Sequence, residues 1–263
     1  MVQSLKLLIA LLLFATPCYA VDYSQDANCQ LYAEMESVGN EIVAVGTDLT
    51  ENGTIPRDAD AKQGSWSRDW EDDGENDYLT HADGNETDIF GANQPISMGC
   101  WYKREDETGN PQILINKWDA VGGKRQYKLF VANNAGADDD ITFGLSDNGG
   151  NNTEAFGATT VPTGAWTHIV AVYNDTDMRV YFNGSLDTNG ADNPKAYTAG
   201  IHEAAEQFNI GTNHDNSDDW ADGLIDELFV MDRELTAAEV LDIYTNGFEG
   251  SGRTTQTMLT SLE

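Results

Sequence analysis

The stretch WTHIVAVYNDTDMRVYF, residues 166–182, contains two runs in which apolar side chains alternate with polar or small ones. Alternation with a period of two is the pattern of a half-buried β-strand. The tetrapeptide NDTD separates the runs, and Asn183-Gly184, a strong signal for a tight hairpin turn, follows the second. This stretch therefore predicts antiparallel strands joined by short turns.

Short runs of the same kind recur over most of the chain, separated by clusters of Asn, Gly and Asp. The strands predicted in this way cover residues 96–102, 112–117, 127–132, 141–145, 166–173, 178–182, 208–211 and 223–231. Because no segment of helical periodicity and length lies between them, the pattern favours a sandwich or barrel over a parallel α/β sheet. The predicted fold class is all-β, an antiparallel two-sheet sandwich that forms one domain over residues 21–250.

One helix is predicted, close to the end of this domain. Thr236 followed three residues later by Glu239 fits the capping box, in which each side chain bonds the backbone amide of the other residue. Gly247 supplies the left-handed residue that ends a helix. The apolar face predicted for this helix comprises Val240, Leu241 and Tyr244. We expect a short strap that packs on the sandwich.

Residues 1–20 have the composition of a secretory signal peptide, with Lys6, an apolar run and the small-residue end Cys18-Tyr19-Ala20. The apolar run is too short to span a bilayer comfortably, and no later segment is apolar enough to cross one. We therefore expect cleavage after Ala20 and a secreted, extracellular chain that does not insert into a membrane. Residues 251–263 read as a polar tail.

The formal net charge of −31 comes from 45 Asp and Glu against 14 Lys and Arg. Contacts with phosphate groups need Lys and Arg, so nucleic acid and anionic lipid are excluded as partners. Such a surface suits a salty or calcium-containing medium, although it also fits a surface that is only well solvated.

Two cysteines remain after cleavage, Cys29 and Cys100. In an oxidising compartment an even pair suggests one disulfide bond. Two buried free thiols and a bridge between chains are the alternatives. Candidate N-glycosylation sites, all in predicted turns, are Asn52, Asn85, Asn151, Asn174 and Asn183.

The segments GAWTHIVAVY, MRVYFNG, FNIG, ADGLIDELFV and ELTAAEVLDIYTNG together resemble the laminin-G-like, concanavalin A-like superfamily. The upstream segments SMGCWYKR and ILINKWD are similar to it as well. The resemblance implies a jelly roll whose first and last strands lie side by side. Members include lectins, adhesion modules and glycoside hydrolases, so the resemblance specifies the fold better than the function.

The adjacent acids Asp226 and Glu227 lie in the last predicted strand. Retaining glucanases of the superfamily carry alternate acids on one strand, which places two carboxyl groups about 5 Å apart across one sugar bond. Adjacent residues point to opposite faces, so this pair is not expected to act together. We predict that the chain is not an enzyme, with a glycoside hydrolase as the less favoured alternative.

An acidic loop, residues 212–219, leads into the last strand, and Ca²⁺ prefers such clusters of oxygen ligands. The resemblance implies calcium at a rim of this kind and brings Asp48 near it. We expect Asp226 to face the rim as a calcium or turn ligand and Glu227 to point away or to be solvated. The predicted calcium ligands are Asn213, Asp215, Asp219, Asp222, Asp226 and Asp48; an ordinary solvated turn is the alternative.

Four tryptophans lie in or beside polar loops, where an exposed ring can pack on a sugar: Trp66, Trp70, Trp118 and Trp220. Packing against their own sheet edge is the alternative, and Trp101 and Trp166 are expected in the core. The leading hypothesis is a calcium-stabilised, non-enzymatic module that binds extracellular glycans or proteins. The runner-up is a self-assembling fibre or coat subunit, in which residues 21–30 and 251–263 extend the sheet edge of a neighbour, with Cys29 as a bridge between subunits.

Overall fold

The computed structural model describes residues 20–71, 77–106, 111–132, 139–213 and 219–250. Within these ranges the chain forms two antiparallel β-sheets and one α-helix, as predicted. The strands are β1 Cys29–Ala33, β2 Thr50–Asn52, β3 Arg57–Asp58, β4 Ser67–Trp70, β5 Tyr78–His81, β6 Ile96–Arg104, β7 Gln112–Asp119, β8 Lys124–Val131, β9 Asp140–Leu145, β10 Thr153–Thr160, β11 Thr167–Tyr173, β12 Asp177–Phe182, β13 Ser185–Leu186, β14 Lys195–Ala196, β15 Phe208–Ile210 and β16 Gly223–Met231. The helix α1 is Ala237–Asn246, and a 3-10 turn covers Tyr23–Gln25. No helix in the described ranges has the length and apolarity needed to cross a membrane.

One sheet has nine strands, in the order β13-β12-β11-β6-β16-β4-β3, with β1 also paired to β16 and β14 to β12. The other sheet has seven, in the order β10-β9-β8-β7-β15-β5-β2. Several strands that follow each other in sequence, such as β5 and β6, β6 and β7, or β15 and β16, lie in different sheets. The chain therefore crosses repeatedly between the two layers, as expected of a jelly roll.

The main hydrophobic core lies between the two sheets. Alternate residues of β6 in the nine-stranded sheet and of β8 in the seven-stranded sheet contribute to one cluster. These are Met98, Cys100 and Tyr102 from β6, and Tyr127, Leu129 and Val131 from β8. The period-two alternation read from the sequence therefore corresponds to the inward faces of the sheets.

A second cluster covers the outer face of the nine-stranded sheet, where α1 packs. The capping box is present, since the Thr236 hydroxyl accepts from the Glu239 amide and the Glu239 carboxylate accepts from the Thr236 amide. The helix buries Val240 and Ile243, whereas Leu241 is 50% exposed and Tyr244 is 36% exposed. The predicted apolar face was therefore wrong by one position, because Ile243 and not Leu241 points to the sheet.

The N-terminal segment packs within its own chain. The amide of Tyr23 donates to the Phe248 carbonyl at 2.8 Å, and β1 pairs with β16. First and last strands thus lie side by side, as the resemblance implied. Of the two segments predicted to extend a neighbour's sheet, residues 21–30 thus make contacts within their own chain, and residues 251–263 lie outside the described residues, as do residues 1–19.

The two cysteines are free and buried, so the predicted disulfide is absent. Cys100 belongs to the core between the sheets, whereas Cys29 belongs to the cluster on the outer face. The nine-stranded sheet therefore separates the two thiols. Burial raises the pKa of the Cys29 thiol to about 12, and it raises the pKa of the Cys100 thiol as well. With 7% of its surface exposed, Cys29 is also poorly placed for a bridge between chains.

The five sequons have different environments. Asn52 lies in β2, and the side-chain amide of Asn85 donates to the Ala82 carbonyl. The Asn174 side chain accepts the amides of its own turn, and the Asn183 side chain accepts the His168 amide. Asn151 is exposed, and its side chain bonds no residue of the described ranges. Glycosylation remains a prediction, and Asn151 is the position that fits it best.

Candidate functional site

A groove opens on the outer face of the seven-stranded sheet, with a volume of about 280 Å³. Ile113 of β7 and Phe130 of β8 belong to a small cluster on this face, separate from the core between the sheets. We call it the Trp118 groove. It is lined by Ile113, Trp118, Ala120, Arg125, Lys128, Asn152, Glu154, Asn213 and Asp219.

The β7–β8 hairpin positions the aromatic ring and its cations. Gly122 and Gly123 turn the chain with φ of 86° and 74°, and the pairing then places Arg125 opposite Trp118. Opposed residues share a face of the sheet. The Arg125 guanidinium lies 5.8 Å from the Trp118 ring centroid and the Lys128 ammonium lies 5.0 Å from it. Trp118 is therefore flanked by two cations and is only 5% exposed.

Lys128 is fixed at the centre of the groove. Its ammonium lies 4.1 Å from the Phe130 ring centroid and 3.1 Å from a carboxylate oxygen of Glu154. A Cβ at Gly144 would come within 3.0 Å of the Lys128 Cε, so the absent side chain leaves room for the lysine to cross the neighbouring strand. The negative charge of the Glu154 carboxylate thus compensates the positive charge of the Lys128 ammonium.

Two of the predicted calcium ligands meet at the rim of this groove. The Asn213 side-chain amide donates to the Asp219 carboxylate at 3.3 Å. Asp222 lies elsewhere, in contact with the hydroxyl of Tyr102, and Asp48 accepts the Val43 amide in an exposed loop. Asp215 lies outside the described residues. The structure therefore does not gather the predicted ligands into one site.

Of the four tryptophans predicted to bind ligand, only Trp118 lines the groove. Trp70 is 1% exposed and packs against Gly211, and Trp220 is 9% exposed; both are explained by packing on the sheets. Trp66 is half-buried, and the Arg57 guanidinium lies 4.5 Å from the centroid of the Trp66 ring. Trp166 is not in the core, because its indole N–H reaches Asp60 at the surface.

A cluster of acids lies at one end of the nine-stranded sheet. One carboxylate oxygen from each of Asp69, Glu71 and Glu105 lies within 4.8 Å of the others, the one such triad among the described residues. Burial and the charges of Glu105 and Glu71 raise the pKa of the Asp69 carboxyl to about 7. This triad was not predicted, because Asp69 and Glu71 lie at the end of β4 whereas Glu105 follows β6, and only the pairing of β16 with both strands brings them together.

The adjacent acids Asp226 and Glu227 do not point to opposite faces. The pairing of β16 with β6 shifts between Asp226 and Phe229, and Glu227 has a φ of 52°. This β-bulge turns both side chains outward. Asp226 lies opposite Trp101, and Glu227 accepts a hydrogen bond from the Tyr32 hydroxyl. The expected solvation of Glu227 was also wrong, since it is 3% exposed.

A loop of residues 60–66 closes over Asp226. One carboxylate oxygen of Asp226 accepts the amides of Lys62 and Gln63 at 2.7 and 2.9 Å. The Lys62 ammonium lies 3.8 Å from the centroid of Trp101, which is buried on this outer face. Burial raises the pKa of Asp226 to about 7, and burial together with the charge of Asp226 raises the pKa of Glu227. Asp226 is thus covered by the loop and holds it in place.

Comparison with known proteins identifies the fold family. A laminin-G family profile, described as the concanavalin A-like lectin/glucanases superfamily, matches residues 73–241. No curated protein sequence matches the chain.

Several solved structures share the fold at low sequence identity. Domain 4 of AbnA, a GH43 extracellular arabinanase from Geobacillus stearothermophilus in complex with arabinotriose, matches with a TM-score of 0.58 and 21% identity over 82% of this chain and 99% of that one. The botulinum neurotoxin serotype D ligand-binding domain in complex with N-acetylneuraminic acid matches with a TM-score of 0.57 and 12% identity over 83% and 50%. The botulinum neurotoxin DC binding domain in complex with rat synaptotagmin II matches with a TM-score of 0.57 and 10% identity over 83% and 51%.

The chain thus spans about half the length of the neurotoxin domains, and nearly all of the arabinanase domain, that it matches. At these identities the likeness concerns the fold. Together with the family profile and the two-sheet architecture, it shows that the chain belongs to the laminin-G-like, concanavalin A-like lectin/glucanase superfamily.

Proposed function

We propose that this domain is a secreted, non-enzymatic module that binds a glycan in the Trp118 groove. The observation that carries the proposal is the combination, in one cavity, of an aromatic ring, two cations, amides and carboxylates. Pockets for small molecules join apolar walls to a few convergent polar groups in this way. A cavity of about 280 Å³ is at the small end of such pockets and suits one or two sugar units.

Two structural neighbours support a sugar as the ligand. The arabinanase domain, matched over nearly all of its length, was solved with arabinotriose, and a neurotoxin domain was solved with N-acetylneuraminic acid. A third neighbour was solved in complex with a protein, rat synaptotagmin II. A protein ligand is therefore the alternative. We place the domain outside the cell because residues 1–20 read as a signal peptide.

The positions of the acids support a role without catalysis. Asp226 is covered by the loop of residues 60–66 and Glu227 is buried beside Tyr32, on the sheet that does not carry the groove. In the groove itself, Glu154 is paired with Lys128 and Asp219 is bonded to Asn213. These contacts orient carboxylates for binding hydroxyl groups and for holding cations.

Substitution of Trp118 by alanine tests the groove directly. We expect wild-type protein to bind members of a glycan array and Trp118→Ala to lose at least about tenfold in affinity, because Arg125 and Lys128 lose the ring that positions them in the groove. Titration calorimetry measures the affinity, and chromatography of the recovered glycan checks that it is uncleaved. Trp66→Ala is the matched control, since Trp66 also carries a stacked cation but lies outside the groove. Equal loss in both variants, or a cleaved glycan, would contradict the proposal.

We further propose that calcium stabilises the domain, supported by its net charge of −31 and its crowded carboxylates. An ion that binds only the native state raises stability by mass action. The melting temperature should therefore be higher in millimolar CaCl₂ than in excess EDTA. MgCl₂ at the same concentration controls for general screening of charge. Identical melting curves in CaCl₂, MgCl₂ and EDTA would count against a calcium site.

A further inference from the structure

Cations are scarce in this chain, and most of those in the described ranges are paired with acids. Nine form ion pairs with carboxylates: Arg68, Lys103, Arg104, Lys117, Lys124, Lys128, Arg179, Lys195 and Arg233. Arg57, Lys62 and Arg125 have no carboxylate partner within the described part of the chain, and each lies over a tryptophan ring instead. Arg125 is the member of this group that lines the Trp118 groove.

The Arg125 side chain is held in position by its own chain. One of its terminal nitrogens donates to the Gly150 carbonyl, and its guanidinium carbon lies 5.8 Å from the Trp118 ring centroid. A guanidinium has five N–H donors in a planar fork that matches the two oxygens of a carboxylate. Fixing that fork in advance removes part of the entropic cost of binding. Arg125 is therefore suited to bind a carboxylate in the groove.

The other polar groups of the groove suit hydroxyls. Lys128 is offset by Glu154, so it adds little net charge. Asn152 lies at the rim, and the bonded pair Asn213 and Asp219 offers amide and carboxylate groups that exchange hydrogen bonds with sugar hydroxyls. The groove thus presents a cation together with a set of neutral and acidic hydroxyl partners. A sugar acid, which has a carboxylate and several hydroxyls on one ring, complements this arrangement.

We propose that the Trp118 groove selects sugars that carry a carboxylate, whether a uronic acid or a sialic acid, and that Arg125 binds this carboxylate. The proposal rests on the proposed glycan-binding function and specifies its ligand class. The distant negative charges of the protein oppose it little, because salt at about 0.15 M screens exposed charges beyond about 8 Å. Within the groove, the Glu154 carboxylate is paired with Lys128 and the Asp219 carboxylate accepts from Asn213.

Paired acidic and neutral glycans test the selectivity in 0.15 M NaCl. The pairs are trigalacturonate with its methyl ester and sialyllactose with lactose, so that the two sources of carboxylate are distinguished. Wild-type protein should bind the acidic member of at least one pair about tenfold or more tightly than its neutral partner, as expected for a charge-assisted, bidentate contact. In Arg125→Gln that ratio should fall close to one. Arg57→Gln, the matched arginine over Trp66, should leave the ratio unchanged.

The outcomes separate this proposal from the function on which it rests. If neutral and acidic glycans bind equally and Trp118→Ala abolishes both, the groove binds glycans but the selectivity for acids is wrong. A preference for acids that persists in Arg125→Gln would overturn the role of Arg125. If a folded wild-type protein binds no glycan of either kind, both proposals fail. Melting curves of each variant, and of the additional variant Arg125→Lys, distinguish a loss of binding from a loss of folding.

Discussion

Substitution of Arg68 by methionine should lower the free energy of unfolding by about 3–5 kcal/mol, because it breaks a buried ion-pair network by removing one partner. Arg68 is completely buried in β4 and contacts two carboxylates, Glu41 at 3.3 Å and Glu51. Its guanidinium also donates to the carbonyls of Ser37, Gly39 and Ile55. One side chain thus fixes the loop that precedes β2 onto the nine-stranded sheet.

The loss is large because Glu41 has no access to water. Burial raises the pKa of Glu41 even with Arg68 beside it, so its charge would be still less favourable in the variant. Chemical denaturation at pH 7 measures the effect. Arg179→Met is the matched control, since Arg179 pairs with Asp177 and Glu234 near the surface, where ion pairs contribute about 0–1 kcal/mol. A similar small loss in both variants would show that the network does not stabilise the fold.

Replacement of Asp226 by alanine should lower the free energy of unfolding by about 2–4 kcal/mol. The amides of Lys62 and Gln63 lose their acceptor, and an unsatisfied buried donor costs about 1–3 kcal/mol. Relief of the buried charge offsets part of this loss. Hydrogen exchange at the two amides locates the effect, and it should accelerate in Asp226→Ala more than in Asp226→Asn, whose carbonyl still accepts. Unchanged protection of both amides would contradict the assigned role.

The same acids give stability a defined pH dependence. Asp226 has a pKa raised to about 7 and Glu227 a pKa raised above its ordinary value, so both bind protons more tightly in the folded than in the unfolded state. Their contribution is complete below about pH 4 and declines as the pH rises through 7. Glu227→Gln should reduce this decline. Chemical denaturation of wild type and Glu227→Gln at pH 5 and pH 8 measures the change in the free energy of unfolding with pH. An equal decline in both proteins would contradict the role of Glu227.

Much of the fold was predictable because alternation and turn residues are local signals. The eight predicted strands correspond to β6–β9, β11, β12, β15 and β16. By contrast, β10 was missed: its sequence TEAFGATT lacks a clear apolar alternation, and it lies at the edge of its sheet. The short strands before β6 were also missed, because they are fixed by pairing with distant partners such as β16 and β5. Tertiary contacts determine these elements.

The candidate site was only partly predictable. Trp118, Asn213 and Asp219 were identified by residue type, but Arg125 and Lys128 were not, because their cation–π contacts depend on the register of β8 against β7. Asp226 and Glu227 were placed on opposite faces because strict alternation was assumed. A bulge of one residue reverses that conclusion, and nothing in the local sequence marks it. Register and bulges are therefore the limit of inference from this sequence.

Because a β-sheet separates Cys29 from Cys100, the two thiols can report on unfolding of two different parts of the chain. Each thiol is shielded by a different packed layer, so a thiol-reactive dye can label it only after that layer has opened. Variants that keep only Cys29 or only Cys100 would give the labelling rate of each thiol separately under native conditions. Different labelling rates would mean that the helix-covered side and the interior of the sandwich open as independent units, and equal rates would mean that they come apart together.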